Sequence, residues 1–394
     1  IPEHLTADGF YNMNPAQDWA AFNFALRAFH SPQQNVVYAD TSGNIGFMAP
    51  ARVPVRRSGN GQHPVPGWTG EFDWIGFVPF EELPSTYNPR DGLIVNANNK
   101  IVPDDFAHLI AADWPPPYRA ERIASVLLGA SGNHTVTDSA ILQLDIVANG
   151  AVRLLPLLLS AAPESARARQ AMGLLAAWDG RMHRNAAEPL ILQAWIWALG
   201  RTVLRDELGE GYLEYLGNSS FTLERLFAND SEWCDDVTTT ERESCSDQAA
   251  AALELALDHL EERFGEDMTQ WRWGAAHLAR FNHPLLSRLP VLGDFFTYSV
   301  EADGGDETVN RASARLGGNP ESRFEDVHGA GFRAVYDLSA LDNSRFILAT
   351  GQSGNPLSNH YGNLATRWRD GMTLSLSPDS WTLAEQLNLL PSQQ

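Results

Sequence analysis

The spacing of apolar residues changes twice along this chain, and these changes constrain the fold more than any other feature. Short β-rich runs separated by turn residues fill the first part. Apolar residues at helical spacing dominate from about Tyr118 to about Phe281, and short strand-like runs return from about Gly293. A sheet, a helical insertion and a return to sheet predict an α+β fold instead of βαβ winding. We divide the chain into residues 1–117, sheet-rich; 118–290, mainly helical; and 291–394, the return to sheet.

Local patterns predict individual elements. Asn14-Pro15 is a typical helix start, with Asn14 as the cap, and four large apolar residues follow at helical spacing. Residues 35–40 and 45–49 flank a turn and predict a hairpin. Ser246 is the predicted cap of the last long helix and Gly265 its stop. The remaining predictions are helices at 119–128, 137–159, 190–208 and 246–264, and strands at 93–95, 331–338 and 344–350.

The charge balance narrows the range of partners. The chain has 28 basic and 49 acidic residues, a net charge of -21, and the acids are spread along its length. Such a surface repels phosphate backbones and anionic lipid, so we expect neither nucleic acid nor a membrane as partner. No apolar run approaches the roughly 18 residues of a membrane span.

Cys234 and Cys245 are the only cysteines, and they lie in a polar, acidic stretch. Two cysteines this close in the sequence indicate either a disulfide or two free surface thiols. The disulfide is the preferred interpretation, and it predicts an oxidising location, periplasmic or secreted. A metal site is poorly supported because no C-x-x-C spacing or neighbouring His is present.

Self-contained catalytic motifs are absent from the sequence. The G-x-S-x-G elbow of α/β hydrolases is missing, since the segment around Ser353 has the wrong spacing. H-E-x-x-H, the Walker phosphate loop and G-x-G-x-x-G are missing too. Carboxylate pairs are too abundant in so acidic a chain to identify a glycosidase.

A series of unusual motifs, in a fixed order over nearly the whole chain, resembles the penicillin acylase family. The first, N-V-V-Y-A-D with G-N-I-G-F at residues 35–47, is similar to that family's N-x-x-Y-A-D-x-x-G-N-I-G-Y segment. The others are P-V-P-G at 64–67, D-W-I-G at 73–76, N-P-R-D-G at 88–92, N-A-N-N at 96–99, Y-R-A-E-R-I at 118–123, W-G-A-A-H at 273–277 and G-Q-S-G-N-P-L-S-N-H-Y at 351–361.

The resemblance implies an N-terminal nucleophile hydrolase, an αββα sandwich, here partial and with a helical insertion. In that family a self-cleaving precursor exposes a serine whose own α-amino group is the general base. That serine lies upstream of the segment matched here, so we expect this chain to be a fragment of the β subunit that is inactive alone. Its partners would be the missing N-terminal β segment and a smaller α subunit.

Asn98 and Arg119 match the family's catalytic positions. Asn98 corresponds to the asparagine whose side-chain amide holds the oxyanion, and Arg119 to the arginine that orients it. The simpler alternatives are a turn-capping Asn98 and a salt bridge of Arg119 at a helix start.

The family's substrate-binding positions match this sequence less well than its catalytic positions do. Gln34 aligns with an aliphatic wall of the phenylacetyl pocket, and Phe10 or Tyr11 aligns loosely with a pocket tryptophan. An unpaired buried amide costs roughly 1–3 kcal/mol, so Gln34 argues against penicillin G itself. The leading prediction is hydrolysis of a small-molecule N-acyl amide, penicillin or related. The alternatives are an N-acyl-homoserine lactone acylase and a noncatalytic binding or assembly module.

No cofactor is expected for catalysis, although many family members hold a structural calcium ion. The stretch that aligns with one calcium carboxylate reads Ala-His-Leu at 107–109, so Asp104, Asp105, Asp113 or the carbonyl of Gly61 would have to substitute. His277, His283 and His360 are expected to form hydrogen bonds in the core or at sheet ends. Ser353 is expected to fix a loop.

Overall fold

A computed structural model describes residues 5–130, 134–215, 219–229 and 231–377. The chain forms two compact units, the first ending at Ala124 and the second beginning at Ser125. Helices and mainly antiparallel strands are mixed in both, which confirms the α+β class.

The first unit holds a three-stranded sheet, a separate hairpin and three helices. The sheet has the order β1-β2-β5, and β3 pairs with β4. A small core of apolar side chains, including Leu26, Phe29 and Met48, lies beneath these elements. The elements are α1 (Thr6–Met13), α2 (Trp19–Ala25), β1 (Val36–Ala39), β2 (Ile45–Met48), β3 (Pro54–Arg56), β4 (Trp74–Phe77), β5 (Ser85–Tyr87) and α3 (Tyr118–Gly129), which continues into the second unit.

The predicted β1-β2 hairpin is confirmed, and the residues of its motif explain why it forms. Val36 pairs with Met48 and Ala39 with Ile45 in an antiparallel register. The Asp40 carboxylate accepts the N–H groups of Ser42 at 2.9 Å and Asn44 at 3.0 Å, so it closes the turn.

Two predictions in this unit are wrong. Asp18, not Asn14, caps the second helix, accepting the N–H of Ala21 at 2.8 Å, while Asn14 ends α1. Residues 93–95 form no strand. The described strands of this sheet pair in the order β1-β2-β5, and residues 93–95 add no strand to either edge.

The second unit combines helices with a four-stranded and a three-stranded sheet. The strand orders are β7-β6-β9-β8, in which β6 and β9 are parallel, and β10-β11-β12. The helices are α4 (Val136–Leu142), α5 (Asn149–Leu158), α6 (Ala166–Ala176), α7 (Glu188–Leu208), α8 (Ser219–Ala228), α9 (Cys245–Phe264), α10 (Trp273–Ala276) and α11 (Ala365–Arg369). The strands are β6 (Leu278–Asn282), β7 (Thr297–Glu301), β8 (Ala312–Ala314), β9 (Asp326–Gly329), β10 (Phe332–Val335), β11 (Arg345–Leu348) and β12 (Leu374–Ser375).

Helix α7 is the centre of the larger core. It is apolar around most of its circumference, which is typical of a helix packed on all sides. Trp195 is fully buried, and its indole N–H donates to the carbonyl of Ala249 on α9 at 2.8 Å. The predictions at 190–208 and 246–264 are thus confirmed as helices. The cap of α9, however, is Ser244, which forms a capping box with Asp247 in place of the predicted Ser246.

The predicted helix at 137–159 is two helices, α4 and α5. Between them the backbone pairs with a distant segment: Met182 donates to the carbonyl of Ile146, and Ala148 donates to that of Gly180, both at 2.9 Å. These tertiary hydrogen bonds replace helical ones. The sequence interpretation also missed α6 and α8, whereas β10 and β11 occur within the runs predicted as strands.

Cys234 and Cys245 form a disulfide with their Cα atoms 4.9 Å apart, next to the start of α9. Across the part of the chain that the structure describes, no helix is both long and apolar enough to cross a membrane.

Candidate functional site

Asn98 lies on an exposed bend between β5 and α3. Its backbone has φ of 67°, in the left-handed region, which asparagine tolerates better than most residues that carry a β-carbon. The neighbouring Ala97 is buried and anchors the bend. The carboxamide of Asn98 is therefore presented to the surface instead of being packed into the core.

Arg119 fixes the orientation of that carboxamide. It lies in the first turn of α3, directly after the buried Tyr118, and its Nη2 donates to Oδ1 of Asn98 at 2.9 Å. A guanidinium has donors and no acceptor, so the atom that faces Arg119 has to be the oxygen. The Nδ2 group of Asn98 is then directed away from Arg119 and can donate to another group.

A cleft of about 400 Å³ adjoins the segment that carries Asn98. Asn96 and Asn99 contribute polar groups to a wall that also contains apolar side chains. The Nδ2 of Asn96 is buried and has no hydrogen-bond partner among the described residues. The lining residues are Phe47, Thr86, Pro89, Asp91, Leu93, Ile94, Val95, Asn96, Asn99, Lys100, Ile101 and Val102. No sequence pattern predicted this cleft, because its walls come from segments distant in the sequence.

Residues 1–382 match the family model described as Penicillin amidase. The chain belongs to the penicillin amidase family. It is 32% identical, over 93% of its length, to the penicillin acylase 2 proenzyme of Pseudomonas sp. (strain SE83), of which it covers 47%. It is 29% identical, over 94% of its length, to the acyl-homoserine lactone acylase QuiP of Pseudomonas syringae pv. tomato, again covering 47%. The chain thus spans about half the length of these curated relatives.

One solved structure has a similar fold. The thermostable penicillin G acylase from Alcaligenes faecalis superposes with a TM-score of 0.70, at 18% identity, over 99% of this chain and 73% of that one. At this identity the likeness concerns the fold alone.

The penicillin amidase motif at residues 35–47 builds a scaffold. Tyr38 donates its hydroxyl to Asp40 at 2.8 Å, and burial together with this bond raises the pKa of Tyr38 to about 12. Hydrogen bonds from Asn44 lower the pKa of Asp40 to about 2. Asn88, beside β5, donates to Asn44 at 2.9 Å. The network joins the hairpin to the strand that precedes the Asn98 segment.

The residues predicted to bind the acyl group lie on the surface of this family member. Phe10 and Tyr11 on α1 are 52% and 74% exposed, and Phe10 packs edge-on against Phe29 at 5.1 Å. Gln34 is exposed, and its amide donates to the adjacent carbonyl of Gln33. The contacts that the structure gives these three side chains do not include Asn98 or Arg119. Their role in binding stays a prediction.

The histidines have structural positions. His277 is fully buried, stacks on Trp273 at 4.1 Å and lies with Nδ1 2.6 Å from the carbonyl of Phe324, and burial lowers its pKa to about 4. His283 follows β6 directly and accepts two backbone N–H groups with its ring. Both agree with the expectation of hydrogen bonding in the core or at sheet ends.

His360 differs from that expectation, because it is exposed in the loop 351–361. Its carbonyl accepts the N–H of Ser353 at 3.1 Å, and the Ser353 hydroxyl accepts the N–H of Asn355 at 3.1 Å. Ser353 therefore fixes the loop, as the sequence predicts.

The acids suggested as calcium ligands do not assemble into a site. Asp104 is paired with Lys100, and Asp105 and Asp113 are exposed. Within the described ranges, no group of three or more His, Cys, Asp or Glu side chains is arranged to hold a metal ion.

Proposed function

We propose that this chain supplies the oxyanion-binding amide of an enzyme that hydrolyses N-acyl amides. The proposal rests on one observation. Arg119 donates a hydrogen bond to Oδ1 of Asn98, so the Nδ2 group of Asn98 is available as a donor at an exposed position. A neutral, pre-oriented N–H₂ group stabilises negative charge that develops on a carbonyl oxygen. Membership of an amide-hydrolysing family supports this assignment.

The proposed reaction begins with a serine supplied by a segment outside this chain. The serine oxygen attacks the amide carbon while the α-amino group of the same residue accepts the hydroxyl proton. The carbonyl electrons move to oxygen, and Nδ2 of Asn98 donates a hydrogen bond to that oxyanion. When the carbon–nitrogen bond breaks, the amino group returns the proton to the departing amine. Water then releases the acid from the acyl-enzyme by the same route.

The rest of the proposal concerns assembly. This chain would complete an αββα sandwich with the remaining β segment and with a smaller α subunit, in keeping with the word proenzyme in the name of one relative. The Cys234–Cys245 disulfide supports a periplasmic or secreted location. Catalysis requires no cofactor, and a structural calcium ion would need ligands in addition to Asp104, Asp105 and Asp113.

Two substrate classes follow from the names of the relatives. The first is an N-acylated β-lactam amine, as in penicillins, and the second is an N-acyl-homoserine lactone. Both place a secondary amide between an acyl group and an amine, so one oxyanion site serves either. A noncatalytic binding module is the remaining alternative.

The proposal is tested by measuring amine release by the complete processed protein. Phenylacetyl, glutaryl and long-chain acyl amides form the panel, and this chain alone is the matched control. We expect turnover of at least one amide by the complete protein and none by the isolated chain. Absence of turnover across the panel, in a protein whose N-terminal serine is verified by sequencing, would favour the noncatalytic module.

A further inference from the structure

The conformation of Asn98 depends on its neighbours in the segment 96–99, which we call the NANN segment. A residue with a β-carbon in the left-handed region is strained by about 1 kcal/mol, and such strain persists only where surrounding contacts hold it. The backbone of the NANN segment is held by its own carboxamides.

Asn99 makes the two shorter of these contacts. Its Oδ1 accepts the N–H of Ala97 at 3.1 Å, and its Nδ2 donates to the carbonyl of Lys100 at 3.0 Å. The side chain therefore bridges the backbone on both sides of Asn98. A longer contact of 3.5 Å runs from the N–H of Asn98 to Oδ1 of Asn96.

We propose that Asn99 is a positioning residue, whose side chain holds the backbone around Asn98 so that Nδ2 of Asn98 meets the oxyanion. The inference rests on the proposed function of Asn98. Asn99 acts through Asn98. It therefore contributes to stabilisation of the transition state and not to substrate binding. Arg119 fixes the rotation of the carboxamide, whereas Asn99 fixes the backbone from which it projects.

The test is a double-mutant cycle in the complete processed protein. Asn99→Ala is expected to lower kcat about tenfold with little change in KM, because both backbone-fixing contacts of the Asn99 side chain are lost. In an Asn98→Ala background the same substitution is expected to leave kcat unchanged, because the amide to be positioned is gone. Asn343→Ala is the matched control, since Asn343 also braces a turn, through Asp337, in the second unit.

Asn99→Asp separates positioning from folding. Aspartate keeps the acceptor for Ala97, but it loses the donor to Lys100 and adds a negative charge beside the oxyanion site, so we expect it to restore part of the lost kcat. The inference is overturned if Asn99→Ala has normal kcat, if it lowers kcat equally in both backgrounds, or if Asn99→Asp is as defective as Asn99→Ala. A normal kcat for Asn98→Ala alone would instead remove the proposed function, so the two failures are distinguishable.

Discussion

The guanidinium of Arg119 donates to Oδ1 of Asn98 across 2.9 Å, and this contact determines which end of the Asn98 carboxamide can act as a donor. The first turn of α3 thereby orients the side chain of a bend 21 residues earlier in the chain. Asn98 in turn has a backbone conformation that few residues tolerate. The site is therefore built from local geometry, with the sheet β1-β2-β5 as its support.

Arg119→Ala is expected to lower kcat by about 10- to 100-fold with a smaller change in KM, because a hydrogen bond from a charged donor is lost and the carboxamide can rotate. Steady-state kinetics of the complete protein measure this. Arg205→Ala is the control, since Arg205 forms an exposed pair with Glu210. If both variants lost activity equally, a specific role for Arg119 would be contradicted.

Gly46→Ala is expected to destabilise the first unit. A β-carbon at Gly46 would clash with the ring of Trp19, which stacks with both Phe22 and Tyr87. Overpacking of this kind costs about 1–3 kcal/mol. The urea midpoint, followed by tryptophan fluorescence, should fall.

Gly76→Ala is the matched control for this substitution. Gly76 also lies in a strand of the first unit, yet a β-carbon there meets nothing within 4 Å. Equal midpoints for the two variants would refute the packing argument.

The raised pKa of Asp326 predicts that this residue makes the protein less stable as the pH rises. Burial raises the pKa of this carboxyl from 3.8 to about 6, so between these values the folded protein binds a proton more readily than the unfolded chain. The free energy of unfolding should therefore fall as pH rises through this window, by on the order of 3 kcal/mol. Asp326→Asn should remove this slope and gain stability at pH values above about 6.

Asp337 is the control, because its pKa is shifted in the opposite direction to that of Asp326. Hydrogen bonds from Ser339 and Asn343 lower the pKa of the half-buried Asp337, so its contribution to stability is present above its ordinary pKa and is lost as pH falls. Asp337→Asn should therefore be less stable at neutral pH. Urea unfolding at several pH values distinguishes the two variants, and a gain in both would contradict the assignment.

Removal of the disulfide should weaken the second unit without affecting chemistry. The bond joins residues 11 apart, and closing a loop of this size contributes about 2–3 kcal/mol. The Cys234→Ser, Cys245→Ser variant should unfold at lower urea, and dithiothreitol should shift the parent protein to match it. An unchanged midpoint would show that the loop is held by its other contacts.

Local signals in the sequence predicted much of the fold. The hairpin at 35–49 has its turn residues next to its strands, and α7 and α9 have long apolar patterns. The break between α4 and α5 could not be predicted, because the hydrogen bonds that cause it come from residues 180 and 182. Residues 93–95 are apolar like a strand, but they line the cleft beside Asn96 instead of joining the sheet.

The candidate site was predicted from sequence motifs and not from the local signals that predict helices and strands. Asn98 and Arg119 were suggested by motifs alone, and the structure brings the two side chains together. The bracing role of Asn99 and the cleft beside Asn96 depend on distances that no spacing rule contains. Phe10 and Tyr11 were aligned loosely with a pocket tryptophan and Gln34 with a pocket wall, and the structure leaves all three exposed.

The most direct measurement is kcat of the complete processed protein with Asn98→Ala, compared with Asn60→Ala in an exposed loop of the same unit. Loss of an oxyanion donor predicts a kcat lower by about 100- to 1000-fold, a nearly unchanged KM and an unchanged fold. The Asn60 variant should match the parent. A kcat for Asn98→Ala close to that of the parent would contradict the account.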